Sequence, residues 1–303
     1  MGGDRQRAAA LAGAVARHAI TVILLAAGFA AIGVAVAGGV GAVVAVALAA
    51  VLVAAAYAYS DRLALSALAA RPVSEVQHPE LYRLVRELSK AGRLPVPRLY
   101  LSPVGQPNSF AVGFGPRSAS VCCTERLLSL LDEAELRGVL GHELAHSSGR
   151  DIFFSTVSAG LATVLTFPAG LARLLPGRAG TGVRAAAGDG APALPLSESL
   201  PMLVLGPIAA LVIRCSVSGA REYRADAAGA QLAGDPVALA SALRKIDAGA
   251  EELALAPDGR LTSVGHLMIA CPFRAEGFAR LFRTQPPAGE RVRRLEAQAG
   301  YRR

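Results

Sequence analysis

The sequence predicts an α+β, mostly helical protein with a small antiparallel sheet and about four transmembrane helices. Three observations predict it: long charge-free apolar runs, a meander of short strand candidates, and a following helix that carries His142-Glu143-Leu144-Ala145-His146. Strands first and helices afterwards is α+β order, not the alternation of βαβ units.

The apolar runs come first in the chain. With 53% hydrophobic residues and a mean hydropathy of +0.42, the composition is that of a membrane protein. No charged residue occurs between His18 and Asp61. One helix of that length would reach about 60 Å, twice a hydrocarbon core of roughly 30 Å, so two spans fit. The expected organisation is a cytoplasmic N-terminus over 1–18 and a transmembrane hairpin over 19–60, with its reversal near the permissive pair Gly38-Gly39. Arg5, Arg7 and Arg17 before the run and Arg62 and Arg71 after it put both ends in the cytoplasm. A cleaved signal peptide would share the basic start, but the run is far too long for a single h-region.

Residues 61–151 are expected to form the first half of a catalytic domain. Leu81, Leu84, Val85 and Leu88 give Pro79–Gly92 one apolar helical face. Short strands are expected at Arg98 to Leu101, Asn108 to Gly113 and Ser118 to Cys122, separated by turn residues. Asp132 and Glu135, three apart before Leu136, then mark the start of the motif helix. Gly138 and Gly141 inside it cost helix propensity and suggest either simple packing or the close approach of a neighbour.

On that helix His142 and His146 share a face one turn apart, where both imidazoles can hold one metal ion. Two imidazoles at this spacing suit zinc, and the carboxylate of Glu143 stands beside them as general base toward a water at the metal. A zinc site needs a third protein ligand. Downstream, Glu222 and Asp226 are four apart on a helix-compatible stretch from Ser218 to Ala230. Glu222 could bind the metal while Asp226 orients a ligand histidine, or Arg221, Glu222, Arg224 and Asp226 could form only a solvated charged face.

Between the halves, residues 152–215 hold two hydrophobic segments, Ile152 to Ala172 and Pro195 to Cys215, joined by a Gly/Ala-rich loop. The second carries Glu198 and prolines, so a buried or re-entrant helix is its alternative. If the metal site is completed from residues 216–303, either both segments cross or neither does. The extreme apolarity of the first favours two crossings.

The net charge of +8 comes from scattered arginines without an aromatic platform, which argues against nucleic acid and for topology signals and anionic headgroups. Cys122, Cys123, Cys215 and Cys271 form no CxxC pair and read as reduced. No phosphate-loop motif exists, so no nucleotide is expected.

Leu140 to His146 with Asp151, then Arg221-Glu222-Tyr223-Arg224-Ala225-Asp226, resembles the HtpX family of membrane-bound zinc proteases, relatives of the CAAX prenyl endopeptidases. Asn108-Ser109-Phe110-Ala111-Val112-Gly113 resembles the family's Asn-Ala-Phe segment, and His266 to Phe273 a later motif. The resemblance covers essentially the whole chain. It implies a zincin-type, gluzincin-like domain binding one zinc ion through His142, His146 and Glu222, with Glu143 as catalytic base and Asp226 and Asp151 supporting the ligands. It also implies that Asn108, Ser109, Phe110 and Ala111 bind an extended substrate at a sheet edge. Where the family has His-Pro-Pro this chain has Gln285-Pro286-Pro287, so Gln285 or Arg221 is the candidate oxyanion support. The expected activity is ATP-independent cleavage of unfolded or membrane proteins, loose in specificity, in the plasma membrane with the site facing the cytoplasm. A processing protease for lipidated peptides and a zinc-binding pseudoprotease are the alternatives.

Overall fold

The computed structural model describes residues 2–148, 151–171, 206–214, 219–256, 259–274 and 277–300. The loop expected at 175–194 and most of the segment at 195–215 lie outside them.

Helix α1, Gly2–Ala67, is interrupted at Ala37 (φ −146°) and Gly38 (φ 59°), where the chain needs a left-handed residue that glycine supplies without strain. Gly33 and Gly41 come together across this break: a methyl on Gly33 would sit 2.3 Å from the Gly41 carbonyl oxygen. Eight residues of straight helix would hold them about 12 Å apart. Among the described residues one helix, Gly33–Ala67, is long and apolar enough to cross a membrane, and only 6% of its apolar window is buried by protein. Of the about four spans expected from the sequence, this is the one candidate found among the described residues.

Four strands follow as one sheet: β1 Arg71–Pro72, β2 Arg98–Ser102, β3 Ser109–Val112 and β4 Ser120–Thr124. Their order is β1-β2-β4-β3, with β2 and β4 parallel. The sheet is thus mixed, not the antiparallel meander expected. The connection from β2 to β3 explains it. Gln106 in that loop donates to the carbonyls of Ala250, Leu253 and Pro272, which pulls the chain away before it can fold back as a hairpin. β4 takes the place beside β2, and β3 becomes the sheet edge.

Helix α2, Pro79–Gly92, buries the predicted face of Leu81, Leu84, Val85 and Leu88. A short α3, Glu125–Leu130, leads to α4, Glu133–Ser147, which starts with the predicted reciprocal cap between Asp132 and Glu135. Val139, Leu140 and Leu144 of α4 join the α2 leucines and Leu99, Val121, Leu239, Leu243 and Ile246 in the main core. Burying each such side chain contributes about 1.5–3 kcal/mol, enough to outweigh the roughly 1 kcal/mol that each glycine in α4 costs.

Helix α5, Asp151–Leu171, lies on α1, with Gly160 against the Ala56 carbonyl. A short helix at 206–214, α6, joins it through Val212 and Ile213. The second half of the domain consists of α7, Gly219–Ala233, α8, Pro236–Glu252, α9, Gly259–Val264, and α10, Ala288–Gln298.

Candidate metal centre

The site forms where α4 crosses α7. Their backbones touch at Gly141 and Gly229, since a methyl on Gly229 would lie 2.5 Å from the His142 nitrogen. That contact brings the first turns of α7 over the last turns of α4. His142 Nε2 and His146 Nε2 are 3.1 Å apart, and Glu222 Oε2 lies 3.6 Å and 3.4 Å from them. Two donors about 2.1 Å from one tetrahedral zinc ion would stand about 3.4 Å from each other, so the three fit a single ion. Among the described residues this is the cluster of donor side chains, all within 4.8 Å, suited to a metal.

The chemistry of the donors agrees. Burial holds the His146 imidazole below its usual range and so neutral. Burial also raises Glu222, but the His146 ring beside it and the Arg221 guanidinium hold its carboxyl well below the ordinary value. A neutral imidazole and an ionised carboxylate are forms that bind zinc, and His146 and Glu222 are held in them.

His142 is oriented from behind. Its Nδ1 lies 2.9 Å from Asp226 Oδ1, which turns Nε2 toward the other donors. Arg291 of α10 in turn grips Asp226 with two hydrogen bonds of 2.8 Å and 2.6 Å, and its third contact, 2.6 Å, reaches the Ile269 carbonyl. Burial raises the Asp226 carboxyl, but Arg291 more than offsets this and brings it down to about 2.

Glu143, next to His142 on α4, is held differently from the ligand carboxylate. It is buried, its Oε1 accepts a 2.5 Å hydrogen bond from Ser109, and its Oε2 has no partner among the described residues. Burial pushes this carboxyl up to about 7, against the opposing pull of His142 and of the Ser109 hydrogen bond. A buried carboxylate poised near neutrality, with one oxygen unengaged, can take a proton and return it.

The remaining expectations fall out differently. Asn108 turns from the metal side chains: its amide donates to the Ala270 carbonyl and accepts from the Ala270 and Ser109 nitrogens, so it ties β3 to the segment before Cys271. Phe110 and Ala111 bury their side chains in two different cores, leaving only main chain at the edge of β3. Gln285 donates to the carbonyls of Gly265 and Met268, so its amide protons are engaged in closing that turn and not directed at a developing oxyanion. Arg221 is buried against Ser155 and Glu222. Asp151 opens α5, and its side chain lies outside the described residues.

Arg291 was not legible as a site residue among the many arginines of the chain. The available signal was its position: Arg291, Val292 and Leu295 share the buried face of α10, and an arginine there demands an acidic partner.

A histidine pair with an intervening glutamate on one helix and a carboxylate from a second helix is the arrangement of a metallopeptidase. The chain belongs to peptidase family M48, whose sequence profile matches residues 75–299. It is 51% identical over 253 residues to the protease HtpX homolog of Kineococcus radiotolerans, covering 82% of this chain and 83% of that protein. The protease HtpX homolog of Paenarthrobacter aurescens is 51% identical over 247 residues, 81% of this chain and 82% of the relative. That of Methylibium petroleiphilum is 39% identical over 286 residues, 94% of this chain and 98% of its own length.

Proposed function

We propose that the protein is an integral-membrane zinc endopeptidase that cleaves unfolded or misfolded membrane proteins without ATP, with loose sequence specificity. The observation that carries this reading is the convergence of His142, His146 and Glu222 beside the buried Glu143. In this reading His142, His146 and Glu222 hold zinc, which when bound polarises a water molecule and the substrate carbonyl. Glu143 accepts the water's proton at Oε2 and then delivers it to the leaving amine. Asp226 and Arg291 keep the His142 ring in the orientation the ligand needs.

The edge of β3 supports an extended substrate. Successive residues of a strand turn their main-chain groups to opposite sides, and the Asn108 carbonyl bonds β4 while the Ser109 carbonyl accepts from Ile269 on the outer side. Ala111 turns its main-chain groups to that outer side, between Ser109 and Gly113, whose nitrogen donates to Thr156. A peptide adding there would be held by main chain, which reads conformation more than sequence.

We read the chain as multi-pass, with the catalytic half-domains 61–151 and 216–303 on the cytoplasmic side and segments 19–60 and 152–215 in the membrane. The break at Ala37-Gly38 and the contact of Gly33 with Gly41 support a two-span hairpin. Tyr57, Phe114 and Phe153 form an aromatic cluster with ring centroids 5.7–6.4 Å apart, and Arg62 lies over Tyr59. Such a belt at the end of α1 fits a bilayer interface close to the β3 edge.

The test is cleavage of fluorescent casein by detergent-purified wild type and Glu143→Gln. Zinc-dependent cleavage by wild type that Glu143→Gln lacks is the expected result. Equal cleavage by both, or none by either, removes the proposed activity.

A further inference from the structure

Ser109 is the first residue of β3 and is wholly buried. Its carbonyl is fixed by the Ile269 nitrogen at 2.9 Å, and β4 holds it opposite Cys123. The backbone therefore presents the hydroxyl to Glu143 from a rigid position. The 2.5 Å contact is at the short end of the range for a hydroxyl donating to an ionised carboxylate. It makes the two carboxylate oxygens unlike: Oε1 is engaged, and Oε2 is buried with no partner among the described residues. The last torsion of a glutamate is soft, so without this bond the carboxylate plane would be free to turn.

We propose that Ser109 is a positioning residue for the reaction: its hydroxyl pins Oε1 of Glu143 and so reserves Oε2 as the oxygen that moves the proton. This rests on the protease reading above. A buried hydroxyl could instead be bonded to the nearest acceptor merely to avoid an unpaired polar group, with no bearing on turnover. The two accounts differ in which kinetic constant depends on Ser109.

The experiment compares wild type with Ser109→Ala, Ser109→Cys and Ser109→Thr in detergent, measuring zinc content, kcat and KM on casein. Ser109→Ala is expected to lower kcat about tenfold, the size of one charge-assisted hydrogen bond, with KM and zinc unchanged. Ser109→Cys keeps the volume with a much weaker donor and should fall with alanine, whereas Ser109→Thr should recover most of kcat. A kcat of Ser109→Ala within twofold of wild type, or failure of threonine to recover a lost kcat, overturns the proposal. A readout free of turnover is the melting temperature of zinc-stripped protein carrying Ser109→Ala, Glu143→Ala or both. Coupled side chains give shifts that do not add, and additive shifts contradict the bond. If Glu143→Gln abolishes cleavage while Ser109→Ala does not slow it, the protease reading stands and only this inference fails.

Discussion

Gly141 of α4 and Gly229 of α7 meet backbone to backbone: a methyl on Gly141 would stand 2.6 Å from the Gly229 carbonyl oxygen. No larger residue fits at either position without parting the helices. The contact sets the spacing at which Glu222 reaches the two histidines. Replacing Gly229 by alanine is therefore expected to destabilise the protein by about 1–3 kcal/mol and to weaken zinc binding as well. Calorimetry and zinc titration check this. A variant with lower stability but wild-type zinc affinity would uncouple the helix contact from the site.

Arg291 and Asp226 form a buried pair, and removing one member strands the other. Arg291→Met is expected to cost about 3–5 kcal/mol and to loosen zinc through the disoriented His142 ring. The double variant with Asp226→Asn should be less damaged than the single one, since no charge is then left unpaired. Thermal unfolding of the three proteins checks this.

The same pair predicts a pH dependence. Asp226 titrates near 2 in the folded protein against an ordinary 3.8. A depressed folded value means that its ionised form stabilises the fold fully above about pH 4, and that this contribution is lost as the pH falls toward 2. Zinc-stripped wild type should lose stability through that window. Asp226→Asn is expected to start lower and to show a shallower fall.

Phe114 is expected to lie at the bilayer interface with Tyr57 and Phe153. The chain has no tryptophan, so Phe114→Trp introduces a single reporter. In vesicles its fluorescence should be quenched by lipids brominated near the headgroup more than by lipids brominated near the chain end. Quenching no greater than that of a Tyr82→Trp control would move the β3 loop away from the membrane.

Much of this arrangement was legible in the sequence where local physics decides the outcome. The cap at Asp132 and Glu135, the α2 leucines and the motif spacing each act within a few residues, and the structure forms them as expected. Gly138 and Gly141 left simple packing and a close approach both open in the sequence, because a glycine in a helix has a local cost to explain, and the structure brings Leu239 against the first and the Gly229 backbone against the second. What depended on distant partners was not legible. The parallel pairing of β2 with β4 follows from Gln106 reaching chain some 144 residues onward. Arg291 finds Asp226 across 65 residues, and Ser109 finds Glu143 across 34. Sequence spacing carries no record of such meetings.

The most direct test of the central claim is the zinc content of purified wild type and Glu222→Gln, measured by elemental analysis after dialysis against a weak chelator. Wild type should hold about one zinc ion per chain, and Glu222→Gln should hold little, because two imidazoles alone do not complete the site. Full retention of zinc by folded Glu222→Gln would contradict the assignment of Glu222 as the third ligand.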